Sequence, residues 1–181
     1  DEECDFRQLM LIHSQMANVY GTMYASQSEE CELNNALRYA SHIQDRAAMC
    51  AFNDLKCASL YKNKKYYDCI RMTDSLRQVY MQHDDTYNAS LVCVNGFKSY
   101  LALGKYDSAH VYLENYAKIF NTDVSVRNIR GGKDALPILR GDYYLCTNKP
   151  DSALLYYRTV DLHKLIPTVR SYLYCNISTS Y

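Results

Sequence analysis

The chain of 181 residues has no Trp, only 3 Pro and 6 Gly, and no excess of charge of either sign. So few Gly and Pro residues leave little material for the turns of a many-stranded sheet. With 20 basic and 20 acidic residues, the chain lacks the cationic excess that favours nucleic-acid binding or electrostatic attachment to a membrane. No apolar run approaches the roughly 20 residues of a membrane span. We therefore expect no nucleic-acid partner for this region and no membrane span.

Motifs of catalysis are also missing. There is no phosphate-binding Gly-rich loop, no His-Glu-x-x-His and no nucleophile elbow. None of the five His lies three or four residues from another His or a Cys, so a helical metal-binding pair is not supported. We predict a protein that is not an enzyme and that uses no cofactor or metal.

The chain does contain eight Cys and 19 Tyr, within a hydrophobic content of 48%. The Cys residues do not cluster and form no Cys-x-x-Cys, and several fall on apolar helical faces. We interpret them as small buried hydrophobic residues, with disulfides and metal ligation as the alternatives. Tyr packs an apolar ring while keeping a polar tip, which suits half-buried positions between stacked helices.

Apolar residues recur three and four positions apart along most of the chain, as in amphipathic helices. The pattern predicts helices over residues 6–25, 33–43, 45–61, 66–80, 91–103, 107–120, 134–145 and 150–162, and a ninth after Pro167. Pro137 and Pro150 are expected in first helical turns, and Gly104 is expected to end its helix. Residues 121–133 form the longest irregular segment. No alternating strand pattern occurs, which predicts an all-α fold of helical hairpins.

A turn motif occurs in three related copies. Residues 104–109 read Gly-Lys-Tyr-Asp-Ser-Ala, residues 148–153 read Asn-Lys-Pro-Asp-Ser-Ala, and residues 64–69 read Lys-Lys-Tyr-Tyr-Asp-Cys. Each copy lies between two helical patterns. Such self-similarity over tens of residues indicates a repeat protein.

The hairpins resemble tetratricopeptide repeats (TPR), in which small residues allow close helix approach and aromatic side chains fill the adjacent space. The matching positions are Cys57, Cys69, Tyr100, Gly104, Tyr106, Ala109, Gly141, Tyr144, Ala153 and Tyr157. Spacings of 40 and 44 residues between the small residues exceed the usual 34, so the repeat is TPR-like. The resemblance implies a right-handed superhelix of antiparallel helix pairs, an α-solenoid. We expect this solenoid to form one domain over residues 1–181, with about four helix pairs and the start of a fifth.

The amino-acid sequences of two turns resemble those of repeats in Bacteroidetes proteins. They are Tyr-Asp-Ser-Ala and Pro-Asp-Ser-Ala-Leu-Leu-Tyr-Tyr. In that group such arrays often form the periplasmic region of sensor kinases and transcriptional regulators. The resemblance implies the sensory or scaffolding part of a bacterial signalling or transcriptional regulator, periplasmic or otherwise extracytoplasmic, with a cytoplasmic location as the alternative. Residues 168–174 have the pattern of a helix start, and no second helix follows to complete a hairpin. We therefore expect this chain to be a fragment of a longer protein.

A solenoid of this kind presents a concave face lined by the first helix of each pair. The alignment predicts a mixed apolar and charged groove suited to a protein or peptide segment. Its residues are Asp54, Tyr61, Val94, Lys98, Leu101, Ile138 and Asp142. Asp54 and Val94 stand where chaperone-binding repeats need Lys, so that carboxylate-clamping specificity is not carried over. Arg140-Gly141-Asp142 spells an adhesion tripeptide, but its position inside a helix argues against that role.

Three other interpretations remain open from the sequence. The groove could pack against another copy of the chain, giving a self-association module and a homo-oligomer. A helical domain with a small-molecule or enzymatic site would need a convergent carboxylate or His cluster, which the sequence does not offer. A helical-repeat lipoprotein of carbohydrate uptake would need a lipid-anchoring Cys at a mature start, whereas Cys4 follows three acidic residues.

Overall fold

The computed structural model describes residues 2–124, 126 and 132–179. Within these ranges the chain forms α-helices, one short 3₁₀ helix and tight turns, and it contains no strand. The helices are α1 (Glu2–Thr22), α2 (Ser26–His42), α3 (Arg46–Lys62), α4 (Tyr66–Gln82), α5 (Thr86–Ala102), α6 (Tyr106–Thr122), α7 (Gly132–Cys146), α8 (Pro150–Tyr157) and α9 (Pro167–Thr179), with the 3₁₀ helix at Leu162–Lys164.

The helices α2 to α6 repeat with a strict period. Each has 17 residues, and they begin at residues 26, 46, 66, 86 and 106. Each turn from α1 to α6 has one residue in the left-handed region, and the amides at the turn donate hydrogen bonds to the last carbonyls of the helix and so end it. These turn residues are Tyr24, Gln44, Lys64, Asp84 and Gly104, and Asn148 takes the same conformation between α7 and α8. One hairpin therefore spans 40 residues.

Consecutive hydrogen bonds show why the turn can be so short. At the turn after α5, the amide of Gly104 donates to the carbonyl of Leu101 at 3.0 Å, and that of Lys105 donates to Tyr100 at 3.0 Å. The next helix begins at once. Before α3 and α5, the side chains of Asp45 and Asp85 also accept hydrogen bonds from helix amides, at 3.0 and 3.2 Å.

The helices form antiparallel hairpins, α1–α2, α3–α4, α5–α6 and α7–α8. The first helix of a hairpin also packs on the second helix of the preceding one, as α3 does on α2, α5 on α4 and α7 on α6. Helix α9 packs on α7 and α8. Contacts between sequential neighbours define an all-α helical-repeat solenoid, which confirms the predicted fold class. Within the described ranges, no helix is both long and apolar enough to cross a membrane.

Two glycines let helices approach an aromatic ring closely. A Cβ atom on Gly141 would lie 2.2 Å from the ring of the buried Tyr157, and one on Gly96 would lie 2.4 Å from the ring of Tyr112. Both pairs are 16 residues apart in sequence. Gly141 and Tyr157 belong to the predicted packing set, whereas Gly96 and Tyr112 were not predicted.

The remaining packing positions are mostly interior. Cys57, Cys69, Ala109 and Ala153 are fully buried. Tyr100 and Tyr144 are half-buried against the cores of the third and fourth hairpins. Gly104 is an exposed turn residue that ends α5.

Tyr106 differs from the expectation that it packs between repeats, because its side chain is exposed. It is the first residue of α6, immediately after the turn. The buried small residue, Ala109, comes one helical turn later, so it is Ala109 that meets the neighbouring helix.

Several helix boundaries also differ from the predictions. Helix α2 begins at Ser26 and not near residue 33, and α5 begins at Thr86 and not near residue 91, because the first turns of both helices are mostly polar. Helix α7 begins at Gly132, so Pro137 lies inside it and not in its first turn. Pro137 has no backbone amide proton, so the helix lacks one hydrogen bond, the one to the carbonyl of Lys133 near its start. Helix α8 ends at Tyr157. The amides of Thr159 and Val160 donate to the carbonyls three residues earlier, not four, so the α-helical hydrogen-bond pattern stops there. Of the predicted irregular segment 121–133, residues 125 and 127–131 lie outside the described residues.

The cysteines with described side chains are all free thiols. Cys50, Cys57, Cys69 and Cys93 are buried, and Cys31, Cys146 and Cys175 are exposed. The sulfur of Cys69 donates to the carbonyl of Cys57 at 3.3 Å. Burial raises the pKa of the Cys57 thiol to about 12 and that of Cys93 to about 11, which keeps both protonated.

Candidate binding cleft

The main candidate site is a cleft of about 330 Å³ between α5, α7 and the segment that leads into α9. Helix α5 contributes one wall and α7 the other. The segment after the 3₁₀ helix, with α9, closes the third side. The lining residues are Val94, Lys98, Ala135, Ile138, Leu139, Asp142, Lys164, Leu165, Ile166, Val169 and Tyr172.

The repeat register explains why α5 and α7 meet here. Val94 and Lys98 are four residues apart on α5, and Ile138 and Asp142 are four apart on α7, so each pair shares one helical face. These four residues belong to the predicted groove, and the structure brings them together around one cleft.

The other predicted groove residues lie outside this cleft. The carboxylate of Asp54 accepts a hydrogen bond from the side-chain amide of Asn95 at 3.0 Å. The ring of Tyr61 lies against that of Tyr66, with centroids 5.7 Å apart. Leu101 is half-buried against the core between α5 and α7. These three residues therefore make contacts within the fold.

Asp142 is the one buried carboxyl of the cleft lining. It accepts hydrogen bonds from the hydroxyl of Tyr157 at 2.7 Å and from the side-chain amide of Asn176 at 3.2 Å. Burial raises the pKa of this carboxyl above its ordinary value, although these hydrogen bonds and the charge of Lys98 oppose the shift. The carboxylate also raises the pKa of Tyr157, after burial itself.

Charge in and around the cleft is mixed. Lys98 lies close enough to both Asp54 and Asp142 to lower the pKa of each, although burial, the larger effect, raises both. At the opposite side, the Lys164 ammonium pairs with the Asp161 carboxylate at 2.6 Å. A ligand would therefore meet apolar walls, one lysine set between carboxyls, and a second lysine already engaged by an acidic neighbour.

The C-terminal wall was not expected from the sequence. Leu165, Ile166, Val169 and Tyr172 close the cleft, but they lie beyond the last copy of the turn motif. The available signal was Pro167, which marks the start of α9. Nothing in the repeat pattern indicated that α9 folds back on α7.

A second cavity of about 450 Å³ lies between the first three helices. Its lining is more polar: the Ser59 hydroxyl donates to the Glu29 carboxylate at 2.7 Å, and the Lys62 ammonium lies 3.7 Å from the same carboxylate. These groups satisfy one another.

Among the described residues, no group of three His, Cys, Asp or Glu side chains is placed to hold a metal ion. No protein-family model matches the chain, and no curated protein is significantly similar to it. The resemblance to tetratricopeptide repeats thus stays a prediction based on the turn motifs.

Proposed function

We propose that this chain is a non-catalytic binding module that holds an apolar segment of a peptide or protein in the cleft between α5, α7 and α9. The observation that carries the proposal is the convergence of apolar side chains from three elements around a cleft of about 330 Å³. This volume is near the lower end of the range for ligand sites, so the cleft suits a few side chains better than a large cofactor.

The contacts indicate what kind of segment would fit. Ile138 and Val169 offer apolar walls, and Ile166 at the rim is half exposed. The Lys98 ammonium can bind a peptide carbonyl or a carboxylate, and its position between two carboxyls moderates its preference for anions. We therefore propose an apolar anchor flanked by a hydrogen-bond acceptor, and not a strongly charged ligand.

The test selects random 12-residue peptides displayed on phage against the immobilised chain, and then measures binding of the selected synthetic peptides by fluorescence anisotropy. Ile166→Glu places a charge at the apolar rim and should weaken binding at least about tenfold, which corresponds to about 1.4 kcal/mol. Leu155→Glu is the matched control, because Leu155 is also an exposed apolar residue but does not line the cleft.

The outcome is decided by the comparison of the two variants. Peptides that share an apolar motif, and that lose affinity with Ile166→Glu but not with Leu155→Glu, support the proposal. Failure to enrich any shared motif, or equal binding by both variants, would overturn it. Circular dichroism of each variant verifies that the helices are intact.

We further propose, from the wording of the turn motifs, that the module serves as the sensory or scaffolding region of a bacterial signalling or transcriptional regulator outside the cytoplasm. Alkaline phosphatase fused after residue 181 of the native gene product tests the location, because this enzyme is active only after export. Inactive fusion protein in the native host would contradict an extracytoplasmic location.

A further inference from the structure

Helix α1 presents an apolar stripe on its outer surface. Ile12, Met16 and Val19 are all exposed and are spaced by four and three residues, which places them on one helical face; Met23, in the turn directly after α1, is exposed as well. Contiguous exposed apolar residues of this kind mark a surface at which another protein surface binds.

The 40-residue period shows what covers the same positions elsewhere. Ile12 is equivalent to Phe52 of α3 and Val92 of α5. Ile12 is 50% exposed, whereas Phe52 is 7% and Val92 is 1% exposed. Phe52 packs in a cluster with residues of α1 and α2, and Val92 packs in one with residues of α3 and α4. The preceding hairpin covers the position in both cases.

A second position gives the same result independently. Val19 is equivalent to Ser59 and Ser99. Val19 is 55% exposed, whereas Ser59 is 7% and Ser99 is 0% exposed. The Ser59 hydroxyl donates to Glu29 of α2, again in the preceding hairpin. The stripe on α1 is therefore the surface through which this fold joins one hairpin to another.

The stripe also lacks charge. Residues 8–28 contain no Asp, Glu, Lys or Arg, and His13, the single His among them, is engaged by the Glu32 carboxylate at 2.5 Å. Two copies of this surface can thus meet without like-charge repulsion. A two-fold axis perpendicular to α1 would set the two α1 helices antiparallel, which is the direction that the α2–α3 and α4–α5 contacts already have.

We propose that α1 is a homodimerisation surface, in which the α1–α2 hairpin of a second copy occupies the place that a preceding hairpin takes on α3 and α5. The interface continues the repeat contact of the fold and is distinct from the binding cleft at the other end. Because one helix face supplies most of the contact, the dissociation constant should lie in the range of about 1–100 µM.

Sedimentation velocity of the full chain over about 1–500 µM tests the proposal. The wild type should shift from monomer to dimer. Ile12→Glu and Val19→Glu should each raise the dissociation constant more than about 100-fold, because the two-fold axis buries each new charge twice. Leu11→Glu is the matched control: Leu11 is 52% exposed on the same helix, but its equivalents Ala51 and Leu91 are not part of the buried repeat contact.

Hydrogen exchange supplies a second readout that does not depend on a variant. Amides of residues 8–23 should exchange more slowly at high protein concentration, and those of α7 should not change. A wild type that stays monomeric over the whole range would overturn the proposal. Assemblies that grow beyond two copies, or a Leu11→Glu variant as monomeric as Ile12→Glu, would overturn it as well, since a two-fold contact through this stripe closes at the dimer.

Discussion

Replacing Gly141 by Ala tests the packing argument most directly. The new Cβ atom would lie 2.2 Å from Cε1, 2.5 Å from Cδ1 and 2.7 Å from Cζ of Tyr157. Ordinary contacts of a Cβ atom begin near 3.4 Å, so the ring would have to move by about 1 Å in a close-packed interior. It has little freedom to move, because Tyr157 is buried and its hydroxyl is held by Asp142 at 2.7 Å.

The expected magnitude follows from two opposing terms. Overpacking a core costs about 1–3 kcal/mol, whereas Gly to Ala inside a helix gains about 1 kcal/mol. The depth of this overlap places the cost at the upper end, so we expect Gly141→Ala to lower the free energy of unfolding by about 1–2 kcal/mol. For a chain of this size the melting temperature should fall by about 2–8 °C.

Gly21→Ala is the matched control. There the nearest atom, at 2.5 Å, is Oε1 of Glu29, the end of a flexible side chain. The carboxylate can rotate away at the cost of weakening its contacts with Ser59 and Lys62, which offsets the gain of about 1 kcal/mol from Gly to Ala in a helix. The substitution should therefore be close to neutral. Urea unfolding followed by circular dichroism measures both variants under one set of conditions.

A double-mutant cycle isolates the ring as the cause. Tyr157→Leu removes the ring, so Gly141→Ala should be less costly in that background than in the wild type. If Gly141→Ala leaves stability unchanged or raises it in the wild type, the argument from close approach is wrong.

Three other predictions concern protonation, a turn and thiol reactivity. Because burial raises the pKa of Asp142, the folded state holds its proton to higher pH than the unfolded state, so this group destabilises the fold as pH rises from 3.8 through the raised value. In a series of urea titrations upward from pH 3.8, Asp142→Asn should flatten that part of the pH dependence, and an unchanged slope would contradict the assignment. Lys64 has φ +60°, which costs a non-Gly residue roughly 1 kcal/mol; Lys64→Gly should recover part of this cost and raise the thermal midpoint, and a lower midpoint would refute the argument. Maleimide labelling of the native chain at pH 8, mapped by mass spectrometry, should leave Cys57 and Cys93 unmodified until denaturant is added, because burial raises the pKa of both thiols; labelling at the rate of the exposed Cys146 would contradict this.

The sequence predicted the all-α repeat because its turns and its helical period are both local signals. Gly104 marks a turn that needs the left-handed region, and the apolar spacing after it needs no tertiary information. The same turn conformation at Tyr24 and Gln44 was not predicted, because these side chains give no turn signal of their own. The strict 20-residue helix period therefore emerged only from the backbone.

The cleft was predictable in part for the same reason. Val94, Lys98, Ile138 and Asp142 follow from the register of first helices, which alignment supplies. The wall from α9 depends on how that helix folds back, and no repeated residue encodes the angle. Side-chain hydrogen bonds could not be predicted either. The Tyr157 hydroxyl donates to Asp142, 15 residues away on the preceding helix, and this contact depends on the exact geometry of the turn between the two helices.

The α1 stripe shows why periodicity alone gives an incomplete account of a repeat surface. An apolar pattern at helical spacing predicts that a face is covered, but it does not say by what. At the position of Val19, the later hairpins place Ser59 and Ser99, which are polar and yet buried, while the one exposed copy is apolar. If only burial within a single chain mattered, the apolar residue would be expected at a buried position and the serines at the exposed one. Coverage of Val19 by another copy of the chain removes the contradiction, because all three positions then lie in helix–helix contacts.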